Sequence, residues 1–247
     1  MPDVECLVVE AAADRVVWRL NRPEVRNAID QELVDALHAA CAEVEASPRV
    51  VLIVGEGGTF AAGADIAQLR DRRREDALRG INSSVFERIH RLPMPTIALI
   101  EGYALGGGAE LAYACDFRIG TPSTKIGNPE TGLGILAAAG AAWRLSALVG
   151  EPLAKEILLA GRVLSASEAL AVRLLNDVVE PAELLAAGQE LADRITAKAP
   201  LATRLTKAVF HAPPGAHPFV DDLAQAVLFE TEEKQARMTA FLERRSR

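Results

Sequence analysis

The chain has few aromatic residues, only 4% of its 247 positions. Alanine, valine, leucine and isoleucine must therefore fill the core, with small side chains in close contact. Cysteine is scarce and unpatterned: Cys6, Cys41 and Cys115 show neither the spacing of a disulfide framework nor that of a metal site. Buried thiols in a reducing compartment are expected. No apolar run approaches the ~20 residues of a spanning helix, and the opening MPDVECLVVE lacks the charged-then-apolar pattern of a signal segment. A cytoplasmic protein without membrane contact is the expectation. Positive charge is in deficit, with a net charge of −7, which argues against nucleic acid as a partner. A phosphate-bearing ligand needs local basic residues or backbone amides instead.

Several catalytic signatures are missing as well. The chain has no G-x-x-x-x-G-K-[ST], no G-x-G-x-x-G opening a helix after a strand and no G-x-S-x-G, which removes the P-loop, the dinucleotide fingerprint and the serine elbow. His38, His90, His211 and His217 stand in no ligand spacing, so structural roles and no metal are expected.

What is present is an ordinary soluble composition, half apolar and one quarter charged. Residues 6–10 and 15–20 predict a hairpin, and a loop follows at 21–27, broken by Pro23. Leu33, Leu37, Cys41 and Val44 share one face of a helix that Pro48 closes. The run VVLIV at 50–54 predicts a strand covered on both sides. Two segments then read alike, IVGEGGTFAAGADI at 53–66 and LIEGYALGGGAEL at 99–111, each a strand, a glycine turn and a Gly-Ala-acid opening of a helix. Such repeats can stack as turns of a spiral. RDRRREDALRG between them reads as a solvated face. Beyond Pro122 come a glycine-punctuated loop, an Ala-rich helix, a capping box at Ser165 and Glu168, and the short strand NDVVE. From Glu183 the pattern is helical, with a soft boundary near residue 193 between a core (1–192) and a C-terminal helical part (193–247) that packs on the core or on a partner subunit.

Gly106, Gly107 and Gly108 let backbone approach a ligand, and a helix starting there leaves N–H groups free for an anion or a developing oxyanion. Tight helix–strand packing explains the same glycines equally well. GADI at 63–66 predicts a second helix N-terminus, with Ala64 and Gly107 as paired donors and Asp65 as a first-turn acid. Glu110 and Glu130 are candidates for general acid and base work, which spacing alone does not bring together.

FAAGADI, GYALGGGAELAYACD, NPETGLG and AWRL, in this order, resemble the crotonase family, whose best-known members are enoyl-CoA hydratases. The resemblance runs from NRPEVRNAI to TEEKQARMTAFLERR, and implies an α/β spiral of ββα turns with C-terminal helices that build trimers or hexamers. It implies an acyl-CoA thioester substrate, no cofactor or metal, an oxyanion hole at the amides of Ala64 and Gly107, and catalytic Glu110 and Glu130. Residues Ala62, Ala64, Asp65, Ile66 and Gly107 would line the substrate path, and Arg26 and Lys207 would meet CoA phosphates. Enoyl-CoA isomerase on the same scaffold and a non-catalytic CoA-binding subunit are the alternatives. The chain departs from the family pattern at Ala137–Ala141 and at Trp143, where added methyls and an indole are expected to narrow the acyl pocket.

Overall fold

The computed structural model describes residues 5–245. β1 (Leu7–Ala11) and β2 (Arg15–Leu20) form the expected hairpin, antiparallel with Leu7 opposite Leu20. α1 (Gln31–Ala46) follows, started by Asp30, whose Oδ1 accepts from the Leu33 amide at 2.9 Å. An N-cap of this kind is worth about 1 kcal/mol. Its buried face carries Leu33, Leu37, Cys41 and Val44, the four residues that the spacing selects.

β3 (Val50–Gly55) lies between parallel neighbours β2 and β4 (Thr96–Ile100), and its apolar run is covered on both faces. Between β3 and β4 come α2 (Ile66–Asp71), α3 (Arg74–Arg79) and α4 (Ile81–His90). The arginine run spans the end of α2, the two residues that follow it and α3, and Asp76 accepts from the Arg73 amide to start α3. After β4 the chain forms β5 (Tyr103–Leu105), α5 (Gly107–Ala114) and β6 (Phe117–Gly120). β7 (Lys125–Gly127) is a strand where the sequence reads as a loop. A 3-10 turn at Glu130–Leu133, then α6 (Ala141–Val149), α7 (Glu151–Ala160), β8 (Val163–Ser165), α8 (Ala166–Ala171) and β9 (Asp177–Val178) complete the core. The Ser165–Glu168 capping box is formed.

The strands make two sheets, β1-β2-β3-β4-β6-β9 and β5-β7-β8. Their relation explains the repeated segments. Each turn of chain leaves the large sheet, bends, and lays a short stretch beside the corresponding stretch of a neighbouring turn, the later turns bending at glycines. Ile29 bridges Ala64, Ala61 bridges Ala104, and β5 pairs with β7. Gly102 makes one such bend at φ +60°, where a Cβ would overlap the Gly58 carbonyl. Equivalent positions of successive turns are therefore neighbours in space, which is what a spiral provides.

α9 (Leu184–Thr196) spans residue 193 and buries Leu184, Gly188 and Ala192. A Cβ at Gly188 would press on Leu99 and Leu52, so the helix lies directly on β3 and β4. α10 (Pro200–Phe210), α11 (Phe219–Phe229) and α12 (Glu232–Arg245) follow, as the helical pattern predicts, and expose Phe210, Phe219, Leu223, Val227, Phe229, Phe241 and Leu242. All three cysteines are free and buried, as expected. Among the described residues no helix is long and apolar enough to cross a membrane, and no group of side chains could hold a metal ion.

Candidate active site

The three glycines at the start of α5 do three different things. Gly106 sits at φ 53° and ψ −123°, a conformation that side chains disfavour, and it turns β5 into the helix. Gly108 has no room for a Cβ, which would overlap the Ala61 carbonyl oxygen of the previous turn. Close packing is thus the whole account of that position. Gly107 differs: a Cβ there would stand 3.5 Å from the Ala64 nitrogen and 3.5 Å from the Asn82 side-chain nitrogen, at ordinary contact distance. Space rather than clash surrounds it.

Gly107 is the first residue of α5, so its N–H has no partner within the helix. The Ala64 N–H reaches the same place by another route, and here the sequence expectation is corrected. α2 begins only at Ile66, after Asp65, so Ala64 is not a helix N-terminal amide. It lies in a parallel bridge with Ile29, whose amide donates to Gly63 O at 2.8 Å and whose carbonyl accepts from Asp65 N at 3.1 Å. Both bonds of a parallel bridge go to the flanking residues. Ala64 is left with an amide aimed the other way, toward Gly107. The two donors meet because their segments occupy equivalent positions in adjacent turns of the spiral.

The carboxyls sit beside them. Glu110, in the first turn of α5, is 3% exposed, and its Oε1 accepts from the amides of Ala139 at 2.7 Å and Ala141 at 3.1 Å. Burial raises its pKa to about 7, helped by the nearby charge of Glu130 and opposed by those two amides and by Arg144. Glu130 is 8% exposed, and burial raises its pKa too. Its Oε1 accepts from Asn128 Nδ2 at 3.3 Å and would lie 3.3 Å from a Cβ at Gly106. Its Oε2 is buried without a partner. Asn128 is held in turn by the Tyr113 hydroxyl, which donates to its Oδ1 at 3.1 Å. Burial and the fields of both glutamates push that phenol far up, so it stays neutral.

Chemically, two unbonded amides suit an oxygen that gains negative charge, and two buried carboxyls with raised pKa values suit proton transfer. Asn128 and Tyr113, which orient Glu130, carry no sequence signal beyond lying in the motifs NPETGLG and GYALGGGAELAYACD. Asp65 accepts from the Gln68 amide at 2.9 Å, the N-cap role of an acid at a helix start. Ile66 is exposed, and Ala62 donates its amide to the Arg26 carbonyl at 3.0 Å. Arg26 has φ 53° and an exposed side chain.

Lys207 is a correction. It is 9% exposed, and its Nζ donates to Met94 O at 3.1 Å and to Asp116 Oδ2 at 2.7 Å. An ammonium with two of its three donors so engaged ties α10 to the core, a structural role that the sequence does not predict. The departures from the family pattern also resolve. Ala139 and Ala141 supply the amides that hold Glu110, while Trp143 is 53% exposed with the Arg144 guanidinium 5.1 Å from its ring centroid. The indole stands at the surface of the chain.

The spiral thus sets two unbonded amides beside two buried carboxyls. The chain belongs to the enoyl-CoA hydratase/isomerase family, whose model matches residues 12–247. It is 37% identical to a crotonyl-CoA hydratase of Syntrophomonas wolfei over 98% of this chain and 96% of that protein. It is 34% identical to a short-chain-enoyl-CoA hydratase of Clostridium acetobutylicum over 97% of this chain and 95% of that protein. The fold matches the crystal structure of an enoyl-CoA hydratase from Bacillus anthracis with a TM-score of 0.91 and 32% identity, covering 97% of this chain and 96% of that one.

Proposed function

We propose that the protein is an enoyl-CoA hydratase, adding water reversibly and syn to a trans-2-enoyl-CoA to give a 3-hydroxyacyl-CoA. The observation that carries this reading is the neighbourhood of four groups, the free amides of Ala64 and Gly107 and the buried carboxyls of Glu110 and Glu130. The thioester oxygen accepts from both amides. As water adds to the β-carbon, that oxygen takes on enolate charge, and donors that bind the enolate better than the ground-state carbonyl lower the barrier. Each such donor is typically worth roughly 3 kcal/mol.

Glu110, titrating near pH 7, takes a proton from the attacking water while the water's oxygen bonds to the β-carbon. Glu130, whose burial favours the protonated form, gives its proton to the α-carbon as the enolate collapses. The two roles exchange in dehydration. Retention of two buried carboxyls supports hydration over double-bond isomerisation, which needs only one proton shuttle. The chemistry calls on no redox cofactor and no metal, because the amides supply the electrophile.

Ala62, Asp65 and Ile66 form the wall along which the pantetheine runs, and the exposed Arg26 faces the CoA phosphates. The helices beyond residue 193 pack on neighbouring subunits of a trimer or hexamer through the apolar side chains of α10, α11 and α12. The cytoplasm is the compartment that suits three buried free thiols.

The test is to mix purified protein with a short trans-2-enoyl-CoA and follow loss of the conjugated-enoyl absorbance. Hydration by the wild type, lost in Glu110→Gln and Glu130→Gln with CoA binding retained, is the expected outcome. Reaction of a 3-enoyl substrate alone would assign the isomerase instead, and an inert wild type that binds CoA tightly would leave a binding subunit.

A further inference from the structure

One buried cation has no part in the chemistry above. Arg144, in the AWRL motif on α6, is 7% exposed and forms an ion pair with Glu87 of α4 through Nη2. Its Nε and Nη1 are buried without partners. A guanidinium held dry with unmet donors is costly unless its charge or its bulk serves a neighbour. That neighbour is visible in the backbone. Gly140 sits at φ +135°, a conformation that side chains rarely adopt, with Arg144 Nη1 lying close to where a Cβ would stand, and the Arg144 amide donates to Gly140 O at 2.9 Å. On either side of Gly140, the amides of Ala139 and Ala141 hold Oε1 of Glu110. The guanidinium therefore lies against, at Gly140, the same three-residue backbone whose flanking amides grip the carboxylate.

We propose that Arg144, secured by Glu87, is the positioning residue of Glu110: it braces the 139–141 backbone and its charge favours the carboxylate. The role given to Glu110 rests on the hydratase reading; the brace is a statement about the free protein. The charged and titratable groups around it are few. Glu110 faces Glu130 from the 3-10 turn, Arg144 from α6 and Tyr113 on its own helix. Arg144 faces Glu87 of α4, Glu110 and Cys115. Glu87 also pairs with Arg91. His90, on α4, has its pKa pushed down to about 4 by burial, by His211 and by Arg144 itself, and burial pushes the Cys115 thiol up to about 12. Both are neutral across pH 6–9, so the Arg144–Glu87 pair is the adjustable charge.

The pair makes two substitutions act in opposite senses. Removing the cation in Arg144→Met disfavours the Glu110 carboxylate. Removing the anion that offsets it, in Glu87→Gln, favours that carboxylate. The measurement is the Glu110 pKa in ligand-free protein carrying glutamate labelled with carbon-13 at the side-chain carboxyl, its resonance assigned by its loss in Glu110→Gln. Arg144→Met is expected to raise the pKa and Glu87→Gln to lower it by less, with Arg144→Lys between wild type and Arg144→Met. In the pH profile of hydration the acid limb moves with the carboxyl, while KM for the enoyl-CoA stays within threefold.

An unmoved Glu110 in Arg144→Met, or shifts of the same sign in both variants as general loosening would give, overturns the proposal. If Arg144→Met does not fold, Glu87→Gln decides alone: a downward shift supports the brace, and no shift or an upward one defeats it. Opposed shifts in a protein that hydrates nothing would keep the brace and sink the hydratase reading. A hydrating wild type with an unmoved Glu110 would do the reverse.

Discussion

Two stretches of this chain, 63–66 and 107–110, carry the same pattern of glycine, alanine and acid, yet fold to different purposes. In the first, Gly63 and Ala64 precede the helix, the amide is freed by a bridge to Ile29, and the half-buried acid caps a six-residue helix. In the second, the helix starts at the glycine, the amide is freed by that start, and the acid turns inward to 3% exposure. Both present one amide to the same spot, and only one presents a carboxyl. The lesson is that a spiral makes backbone equivalent from turn to turn while leaving each side chain to its own environment. The paired amides come from the repeat; the raised carboxyl pKa comes from burial.

The strongest way to break that comparison is to neutralise both acids in parallel. Glu110→Gln is expected to lower kcat by about 10³-fold or more, at the upper part of the range for a general acid–base group. Asp65→Asn keeps an acceptor for the Gln68 amide and is expected to leave kcat within about twofold. Steady-state hydration at pH 7.5 measures both. Equal losses would mean that the two acids share the chemistry and that the burial argument is mistaken.

The glycines sharpen the same point one step down. Gly107→Ala places a methyl in the space facing the Ala64 nitrogen, and about a 10²-fold loss of kcat is expected with near-native stability, the scale of one oxyanion donor. Gly108→Ala places its methyl into the Ala61 carbonyl and is expected to damage folding instead. Thermal melts run beside kinetics separate them. A stable, active Gly108→Ala would show that the turns of the spiral have slack that this packing denies.

A third experiment uses the pH dependence of stability. The folded-state pKa of Glu110 is raised from 4.5 to about 7, mainly by burial. Its contribution is therefore fully present below pH 4.5 and is lost as pH rises through 7. Glu110→Gln keeps an oxygen for the Ala139 and Ala141 amides and never charges. At pH 8 it is expected to be more stable than wild type by up to about 3 kcal/mol, a gap that closes by pH 4.5. Denaturant melts across that range decide it.

Much of this architecture is legible in the chain. The hairpin, the buried face of α1, the central strand at 50–54, the Ser165 cap and the stacked glycine segments all follow from local pattern. What escapes is set by partners distant in sequence. Ala64 owes its free amide to Ile29, 35 positions earlier, and nothing in GADI shows that bridge. β7 is a three-residue strand that exists only because β5 and β8 flank it. Lys207 looks like a surface cation on an amphipathic helix, yet its ammonium turns inward to Asp116, which α5 and β6 hold between them. The two glutamates are visible as residues, whereas their desolvation is a property of the 128–141 segment folded over them.

The smallest effect tests the quieter acid on its own terms. Asp65 caps α2 through a single bond to the Gln68 amide, at a helix start whose other end is exposed. Asp65→Ala removes that acceptor and is expected to cost about 1 kcal/mol, read as a drop of about 2–4 °C in Tm for a chain of this size. Asp65→Asn restores most of it, since either side chain accepts at an N-cap. Because the Ala64 amide is fixed by the Ile29 bridge and not by α2, kcat should hold even as Tm falls. A fall in kcat to match Glu110→Gln would tie the donor to the helix after all, and the two segments would be one design used twice.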